Sequence, residues 1–167
     1  LTNLTQTTVA NQADLVAGAM VFGDDDYYGD VETQAGDWTI YLHLDASNAI
    51  IAGTSAKLIS SSSLGSDRGS LRLNANMSLR LTSEENNAQN FGYTITSGFR
   101  KMAVVKEGTT AKVYVDGVLE STIGALVGSF TTLDRISDAS SGANSDFAGF
   151  KLIDRALTDA EAIAETT

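Results

Sequence analysis

The sequence predicts an all-β sandwich, on three observations. Short runs of β-branched and aromatic residues recur along the chain, separated by turn residues at intervals of about 8 to 12 residues. No regular alternation of strand and helix patterns is visible, which disfavours a parallel α/β sheet. Proline is absent, so Gly, Asn, Asp and Ser must make the turns, and all four are plentiful.

The clearest predicted strand covers residues 37–45 (DWTIYLHLD). Its even-numbered apolar residues fall on one face and Thr39, Tyr41 and His43 on the other. Further strands are predicted at 19–22, 50–51, 57–59, 70–74, 78–82, 91–95, 147–154 and, from a weaker signal, 129–133. In the pair 70–74 and 78–82, joined by a turn at 74–76, alternation points the leucines inward and Arg72 and Arg80 outward.

Residues 103–119 (AVVKEGTTAKVYVDGVL) predict a β-hairpin. Two apolar runs flank a polar turn at 106–110, and a second turn follows at Asp116-Gly117. After the last strand the pattern changes, because Thr158 and Glu161 stand at the spacing of a capping box. The sequence therefore predicts a short helix there.

Composition narrows the functional classes. The formal net charge of −10 and the sequence pI near 4.3 argue against a nucleic-acid partner, since a phosphate backbone would be repelled. Cysteine is absent, which excludes disulfides and thiolate chemistry. No apolar run approaches the ~20 residues that span a bilayer.

The N-terminal residues 1–18 are polar with scattered apolar residues and predict a lead-in segment or an edge strand. Residues 19–167 predict one domain, a length that suffices for a hydrophobic core without metal or disulfide staples. The chain starts at Leu1 with no visible signal peptide, so we expect a processed or excised piece of a longer protein.

Four segments, in order, resemble laminin-G-like domains of the concanavalin A-like lectin/glucanase superfamily. They are AMVFGDDDYY (19–28), DWTIYLHLD (37–45), GFRKMAVVKEGTTAKVYVDGVL (98–119) and FAGFKLIDRALTDAEA (147–162). Departures include Phe22-Gly23-Asp24 in place of Phe-Asp-Gly, and Phe99 where the family usually has tryptophan. Residues 60–90 match only in their alternation, and the segment 133–137 lacks the glycine that the family usually has after its L-x-I strand.

The resemblance implies a jelly-roll sandwich of two antiparallel sheets with a short helix after the last strand. Members of the family mostly bind glycans or proteins, or serve as structural modules beside catalytic domains. A minority of the superfamily are glycosidases or lyases. Glycoside hydrolysis usually needs two carboxylates about 5 to 10 Å apart, and no predicted strand carries such a glutamate pair. We therefore expect no catalytic residues and no enzyme activity.

A calcium site is the candidate cofactor site. Asp24, Asp25 and Asp26 cluster in a turn, as the oxygen ligands of calcium often do, with Asp116, Asp138 and Asp146 or backbone carbonyls of glycine-rich turns as candidate partners. Several laminin-G-like domains hold calcium at a sandwich edge. The alternative is a solvated acidic turn in a protein that is acidic throughout.

Candidate ligand-binding residues are aromatic, because sugar rings offer apolar CH faces for stacking. They are Tyr27, Tyr28, Tyr41, His43 and Tyr93. The alternative for the tyrosines is the sandwich core, and for the single histidine a surface or packing role. Arg68, Arg72 and Arg80 could form a positive strip or be solvated individually.

The sequence thus predicts a non-catalytic binding or adhesion module that recognises a glycan or a surface. Its expected location is an extracellular protein or a virion surface, with a glycan or a cell-surface or virion protein as partner and no insertion into membranes. A structural or oligomerising virion component, such as a capsid-decoration or tail-fibre domain, is the alternative, and a homo-oligomer is compatible with either.

Overall fold

The computed structural model describes residues 14–16, 19–21, 27–28, 36–47, 55–61, 63–64, 68–131, 133–137 and 145–167. The strands are β1 (Asp14–Val16), β2 (Ala19–Val21), β3 (Tyr27–Tyr28), β4 (Trp38–Asp45), β5 (Ala56–Ser60), β6 (Ser70–Leu73), β7 (Ser78–Thr82), β8 (Ala88–Thr94), β9 (Phe99–Glu107), β10 (Thr110–Val115), β11 (Val118–Ile123), β12 (Arg135–Ser137) and β13 (Asp146–Ile153). Helix α1 (Asp159–Thr166) follows.

The strands form two antiparallel sheets. The seven-stranded sheet has the order β1-β2-β13-β4-β9-β10-β11, and the six-stranded sheet has the order β3-β12-β5-β6-β7-β8. One large cluster of buried apolar side chains from both sheets fills the space between them. The predicted two-sheet jelly-roll sandwich with a C-terminal helix is therefore confirmed.

Strand β4 shows how alternation builds this core. Trp38, Ile40 and the two leucines after them are fully buried in the main cluster, as the sequence predicts. The indole N–H of Trp38 donates to the carbonyl of Phe130 at 3.1 Å, which satisfies the polar atom of a buried tryptophan. The intervening residues of β4 therefore occupy the outer face of the seven-stranded sheet.

Two turns of the predicted hairpin carry the backbone geometry that their residues favour. Asp116 and Gly117 have φ of 48° and 82° between the paired residues Val115 and Val118. Positive φ at both central residues is the type I′ pattern, for which Asp-Gly is a preferred pair. Gly108, with φ of 54°, opens the turn between β9 and β10.

Helix α1 packs on the outer face of the seven-stranded sheet. Leu157 and Ala162 bury a second apolar cluster against Ala103, Val105 and Tyr114. The predicted capping box is present, because the Thr158 hydroxyl accepts from the Glu161 N–H and the Glu161 carboxylate accepts from the Thr158 N–H at 2.8 Å. The helix has only eight residues, and no helix in the described part of the chain is long and apolar enough to cross a membrane.

The structure corrects two strand predictions. The strand predicted at 129–133 lies instead at Arg135–Ser137, where it pairs with β5 and β3. Strand β11 at Val118–Ile123 was not predicted, because most of its residues are exposed and it lacks an apolar alternation. The predicted strand at 50–51 lies outside the described residues.

The arginines of β6 and β7 do lie on the face opposite the leucines, as predicted. Arg72 is only 7% exposed, however, and Arg80 is half-buried, so neither is fully solvated. Arg68 is exposed in the preceding loop and donates to the carbonyl of Glu84. The positive strip therefore contains Arg72 and Arg80 but not Arg68.

Candidate functional site

The outer face of the seven-stranded sheet brings two predicted site residues together. Tyr41 and His43 are alternate residues of β4 on the side away from the main core. Tyr41 is paired with Ala103 of β9 and Lys151 of β13, and His43 with Lys101 and Gly149. We call the surface formed by Tyr41, His43, Phe99, Lys101, Gly149 and Lys151 the sheet-face patch.

Aromatic contacts organise the sheet-face patch. The rings of His43 and Phe99 meet edge to face, with centroids 5.3 Å apart and an interplanar angle of 65°. Phe99 is 46% exposed, although it is a large apolar side chain in a strand. His43 lies between its paired residues Lys101 and Gly149, and Phe99 is paired with Asp45 on β4, so strand pairing positions both rings.

Gly149 keeps this surface open. Its backbone φ is not in the left-handed region, so no turn requires glycine there. A Cβ atom at this position would lie 3.4 Å from Cβ of His43 and 3.6 Å from Cε1 of Tyr41. A larger side chain at Gly149 would therefore stand directly against the two site residues of β4.

Two lysines border the patch at the C-terminal end of α1. Lys101 Nζ donates to the carbonyl of Thr167 at 2.6 Å. Lys151 forms an ion pair with Glu165 and lies 5.3 Å from the ring centroid of Tyr41. The last turn of the helix has no basic residue of its own, so these sheet lysines supply the positive charge that stabilises a helix C-terminus.

The Tyr41 hydroxyl stays protonated at neutral pH. Burial raises its pKa above the usual 10.0, and the nearby Glu165 carboxylate adds to this effect, while Lys151 opposes it. Tyr41 is only 8% exposed, so it forms the buried base of the patch, and Phe99 is the exposed aromatic residue. An exposed ring bordered by lysines suits a polyhydroxylated ligand.

Aspartates of neighbouring strands mark one end of the patch. Asp45 is paired with Phe99 on β9 and with Asp146 on β13. Burial of the Asp45 carboxyl acts to raise its pKa, but hydrogen bonds from Ser47 and from the Gly98 N–H outweigh burial and the pKa is lowered. The pKa of Asp146 is raised by burial and by the Asp45 charge.

The other predicted ligand residues lie elsewhere. Tyr27 and Tyr28 form β3, and Tyr93 belongs to β8, at opposite edges of the six-stranded sheet. The Tyr93 side chain is half-buried against the main core. The structure thus brings together only Tyr41 and His43 of the five predicted ligand-binding residues.

The calcium hypothesis stays a prediction. Asp24, Asp25, Asp26 and Asp138 lie outside the described residues. The Asp116 carboxylate accepts from the Lys101 N–H at 3.0 Å and pairs with Arg100 at 3.0 Å. In the described ranges, no three acidic or histidine side chains gather as metal ligands.

Sequence reasoning missed Phe99, Lys101, Gly149 and Lys151 as members of the patch. Alternation within 99–107 places Phe99 and Lys101 on one face, but only the pairing with β4 brings them beside His43. The signal that was available was the resemblance to laminin-G-like domains, which usually have tryptophan at the position of Phe99.

No protein-family model matches the sequence, and no curated protein matches it. Solved structures do resemble it. The sialidase of Trypanosoma rangeli matches with a TM-score of 0.65 and 15% identity, over 90% of this chain and 27% of the sialidase chain. A heptameric SAP-like pentraxin from Limulus polyphemus matches with a TM-score of 0.64 and 12% identity, over 84% of this chain and 75% of the pentraxin.

The binding domain of Paraclostridial Mosquitocidal Protein 1 matches with a TM-score of 0.61 and 12% identity, over 92% of this chain and 46% of that chain. This chain spans little more than a quarter of the sialidase chain. At identities this low the likeness shows the fold alone, a lectin-like β-sandwich.

Proposed function

We propose that this domain is a non-catalytic, laminin-G-like binding module that recognises a glycan through the sheet-face patch. The observation that carries the proposal is the exposed side chain of Phe99, whose ring meets that of His43 edge to face on the neighbouring strand. Exposed aromatic rings with hydrogen-bonding groups at their border are the usual chemistry for binding the CH faces and hydroxyls of sugars.

Fold neighbours are compatible with this role. One is a binding domain, and another, the Trypanosoma rangeli sialidase, was solved in complex with sialic acid. We extend the proposal to the location and the partner, namely an extracellular or virion-surface protein that contacts a glycan on a cell or particle. Calcium remains a proposed cofactor through Asp24, Asp25 and Asp26.

Two described glutamates have pKa values that do not suit a general acid, whereas the pKa of Asp146 is raised. A general acid for glycoside hydrolysis needs a raised pKa, yet hydrogen bonds from Ser129 lower the pKa of Glu85 to about 2. Arg155 and Thr158 lower that of Glu161 to about 2. Glu165, four residues after Glu161 on the helix, is paired with Lys151.

The test is a glycan-array screen followed by titration of a bound glycan. We expect Phe99→Ala to weaken binding about threefold to tenfold, because it removes the stacking ring. Val127→Ala is the matched control, since Val127 is also an exposed apolar residue, 55% accessible, and its N–H donates to Gln89 of the other sheet. Equal affinity of the Phe99→Ala and Val127→Ala proteins would refute the proposed site.

The same protein preparation tests for catalysis. Asp146 is the acid to examine, because its pKa is raised and Asp45 is its paired residue. We expect no hydrolysis of the bound glycan by the wild-type domain. Hydrolysis that disappears in Asp146→Asn would show that the domain is an enzyme.

A second candidate function is assembly into an oligomer through β11. This strand is one of the two edges of the seven-stranded sheet, and it exposes Val118 and Leu119. Exposed apolar edge strands favour pairing with another chain. Light scattering should show an oligomer of the wild-type domain, and Leu119→Lys should disrupt it. Ile163→Lys is the control, because Ile163 of the helix is similarly exposed and its substitution should leave the oligomer intact. A monomeric wild type would exclude this function.

A further inference from the structure

Three basic side chains form a continuous row across the outer face of the six-stranded sheet. Lys57 of β5 is paired with Arg72 of β6, Arg72 with Arg80 of β7, and Arg80 with Asn90 of β8. The alternating leucines of β6 and β7 are in the main core, so the basic residues occupy the opposite face. We call Lys57, Arg72 and Arg80 the cation row.

The cation row is unusual in a chain with 11 basic and 21 acidic residues. Directly opposed side chains on neighbouring strands have Cβ atoms about 5 Å apart, and like charges at that distance destabilise a sheet. The cation row therefore places three basic residues next to one another on one face of the six-stranded sheet.

A row of hydroxyl side chains runs beside the cation row on the same face. Ser60 is paired with Ser70, and Ser70 with Thr82, while Arg135 is paired with Ser60 at the far end. Thr82 is two residues after Arg80, so the two side chains emerge on the same side of β7. Hydroxyl and guanidinium donors thus lie side by side.

Two donors of this surface have no hydrogen-bond partner among the described residues. Thr82 is 0% exposed and its Oγ1 is unpaired, and the buried Nε of Arg80 is also unpaired. A buried donor without a partner costs about 1–3 kcal/mol. Such a pair of donors on one strand is the arrangement that a bound acceptor would satisfy.

The surface opens towards β8. The solvent exposure of the paired residues increases from strand β5 to strand β8. Lys57 is 2% exposed and Arg72 is 7% exposed, whereas Arg80 is half-buried and Asn90 is exposed. Asn74 Nδ2 donates to Asn90 Oδ1 at 3.0 Å and to the hydroxyl of Ser78 at 2.8 Å. Neutral amide and hydroxyl groups therefore border the accessible end.

We propose that Arg80 and Thr82, next to Arg72, bind an oxyanion that enters from the β8 edge. A guanidinium binds two oxygens of a planar or tetrahedral anion at once, and Thr82 Oγ1 supplies a third donor. The oxyanion is either the carboxylate of an acidic sugar or a free inorganic sulfate, which share this chemistry. The site is on the sheet opposite the sheet-face patch and does not depend on the function proposed there.

Nitrogen-15 NMR titration tests this site directly, because the side-chain Nε–H of Arg80 and the backbone amide of Thr82 give separate signals. The probes are glucuronate, inorganic sulfate, and glucose as the uncharged analogue, at constant ionic strength. We expect one or both anions to shift the two signals saturably, and glucose to shift neither. The wild-type titration is informative even if a variant fails to fold.

Variants then locate the charge requirement. Arg80→Gln should weaken anion binding about tenfold or more, since it removes a charge-assisted hydrogen bond. Arg68→Gln removes the same charge from the exposed loop before β6 and should leave the affinity unchanged.

Each outcome of the titration either identifies the anion or overturns the proposal. Saturation with glucuronate assigns the carboxylate of a sugar, whereas saturation with sulfate alone assigns an inorganic anion at the same site. Unshifted Arg80 and Thr82 signals with both anions, or equal weakening by the two substitutions, would overturn the proposal.

Discussion

The two outer faces of this sandwich differ in the arrangement of their charged side chains. On the seven-stranded sheet, α1 covers one end of the face, and the lysines and arginines there are matched by nearby acceptors. Lys112, for example, pairs with Asp159 at 2.6 Å and Lys101 donates to the helix C-terminus. On the six-stranded sheet, Lys57, Arg72 and Arg80 stand next to one another.

This difference shows that the net charge of a chain does not predict how charged residues are distributed over its faces. A chain with a net charge of −10 would be expected to repel anions everywhere, yet pairing order places three cations side by side. On the seven-stranded sheet, lysines instead form ion pairs and a hydrogen bond with helix α1 and the residue after it. The aromatic residues beside that helix are then the feature left available for a ligand.

The largest effect should come from removing the buried residue that anchors α1. Tyr114 is fully buried under the helix and its hydroxyl donates to Asp159 at 2.6 Å. Tyr114→Ala should lower the free energy of unfolding by about 3–5 kcal/mol, measured by urea denaturation. Tyr114→Phe keeps the ring and should lose much less.

A result for Tyr114→Ala below about 1 kcal/mol, which is the typical value for any substitution, would mean that the helix contributes little to this face. The two outer faces would then be more alike than the structure indicates.

The helix cap should give the next largest effect. The Thr158 hydroxyl accepts from the Glu161 N–H at 3.3 Å, and losing an N-cap oxygen typically costs about 1 kcal/mol. Thr158→Ala should therefore lower the free energy of unfolding by about that amount, while Thr158→Ser should retain most of it. Identical losses for the two substitutions would argue that the methyl group of Thr158, and not its hydroxyl, stabilises the helix.

Local chemistry made much of this fold predictable from the sequence. The burial of Trp38 and Ile40, the Asp116-Gly117 turn and the capping box all depend on residues close together in the chain. The position of β12 was not predictable in the same way. Its three residues become a strand because Arg135 and Ile136 pair with β5, and pairing partners that far apart leave no periodic signal.

The site shows the same limit. Alternation alone placed Tyr41 and His43 on a shared outer face. The contacts with Phe99 and Gly149 come from the register of β4 with β9 and β13, across sequence separations that a single sequence does not encode visibly. The cation row arises likewise, because alternation gives each basic residue its face but only strand order makes Lys57 a neighbour of Arg72.

Removing a single cation should change the free energy of unfolding in opposite directions on the two sheets. Arg80→Gln should raise the free energy of unfolding by about 0.2–1 kcal/mol in low-salt buffer without sulfate, since it removes a like charge directly opposite Arg72. The gain should shrink in high salt. Lys112→Gln should lower stability slightly, because it breaks the pair with Asp159.

Arg80→Lys is the matched variant, since it keeps the charge and should show no gain. If Arg80→Gln instead destabilised the domain as Lys112→Gln does, repulsion within the cation row would be refuted.

Glu161→Gln tests a smaller effect that appears in the pH dependence of stability. The Glu161 pKa falls from an ordinary 4.5 to about 2 in the folded domain, because Arg155 and Thr158 donate to its carboxylate. The ionised carboxylate therefore stabilises the fold fully above pH 4.5, and this contribution disappears as the pH falls towards 2. Urea denaturation from pH 5 to pH 2 should show a shallower loss of stability in Glu161→Gln than in wild type. Glu120→Gln is the control and should follow the wild-type curve, because Glu120 is exposed on β11 and makes no hydrogen bond or ion pair with a described residue. Parallel curves for Glu161→Gln and wild type would show that the Arg155–Glu161 pair does not set the acid sensitivity of this face.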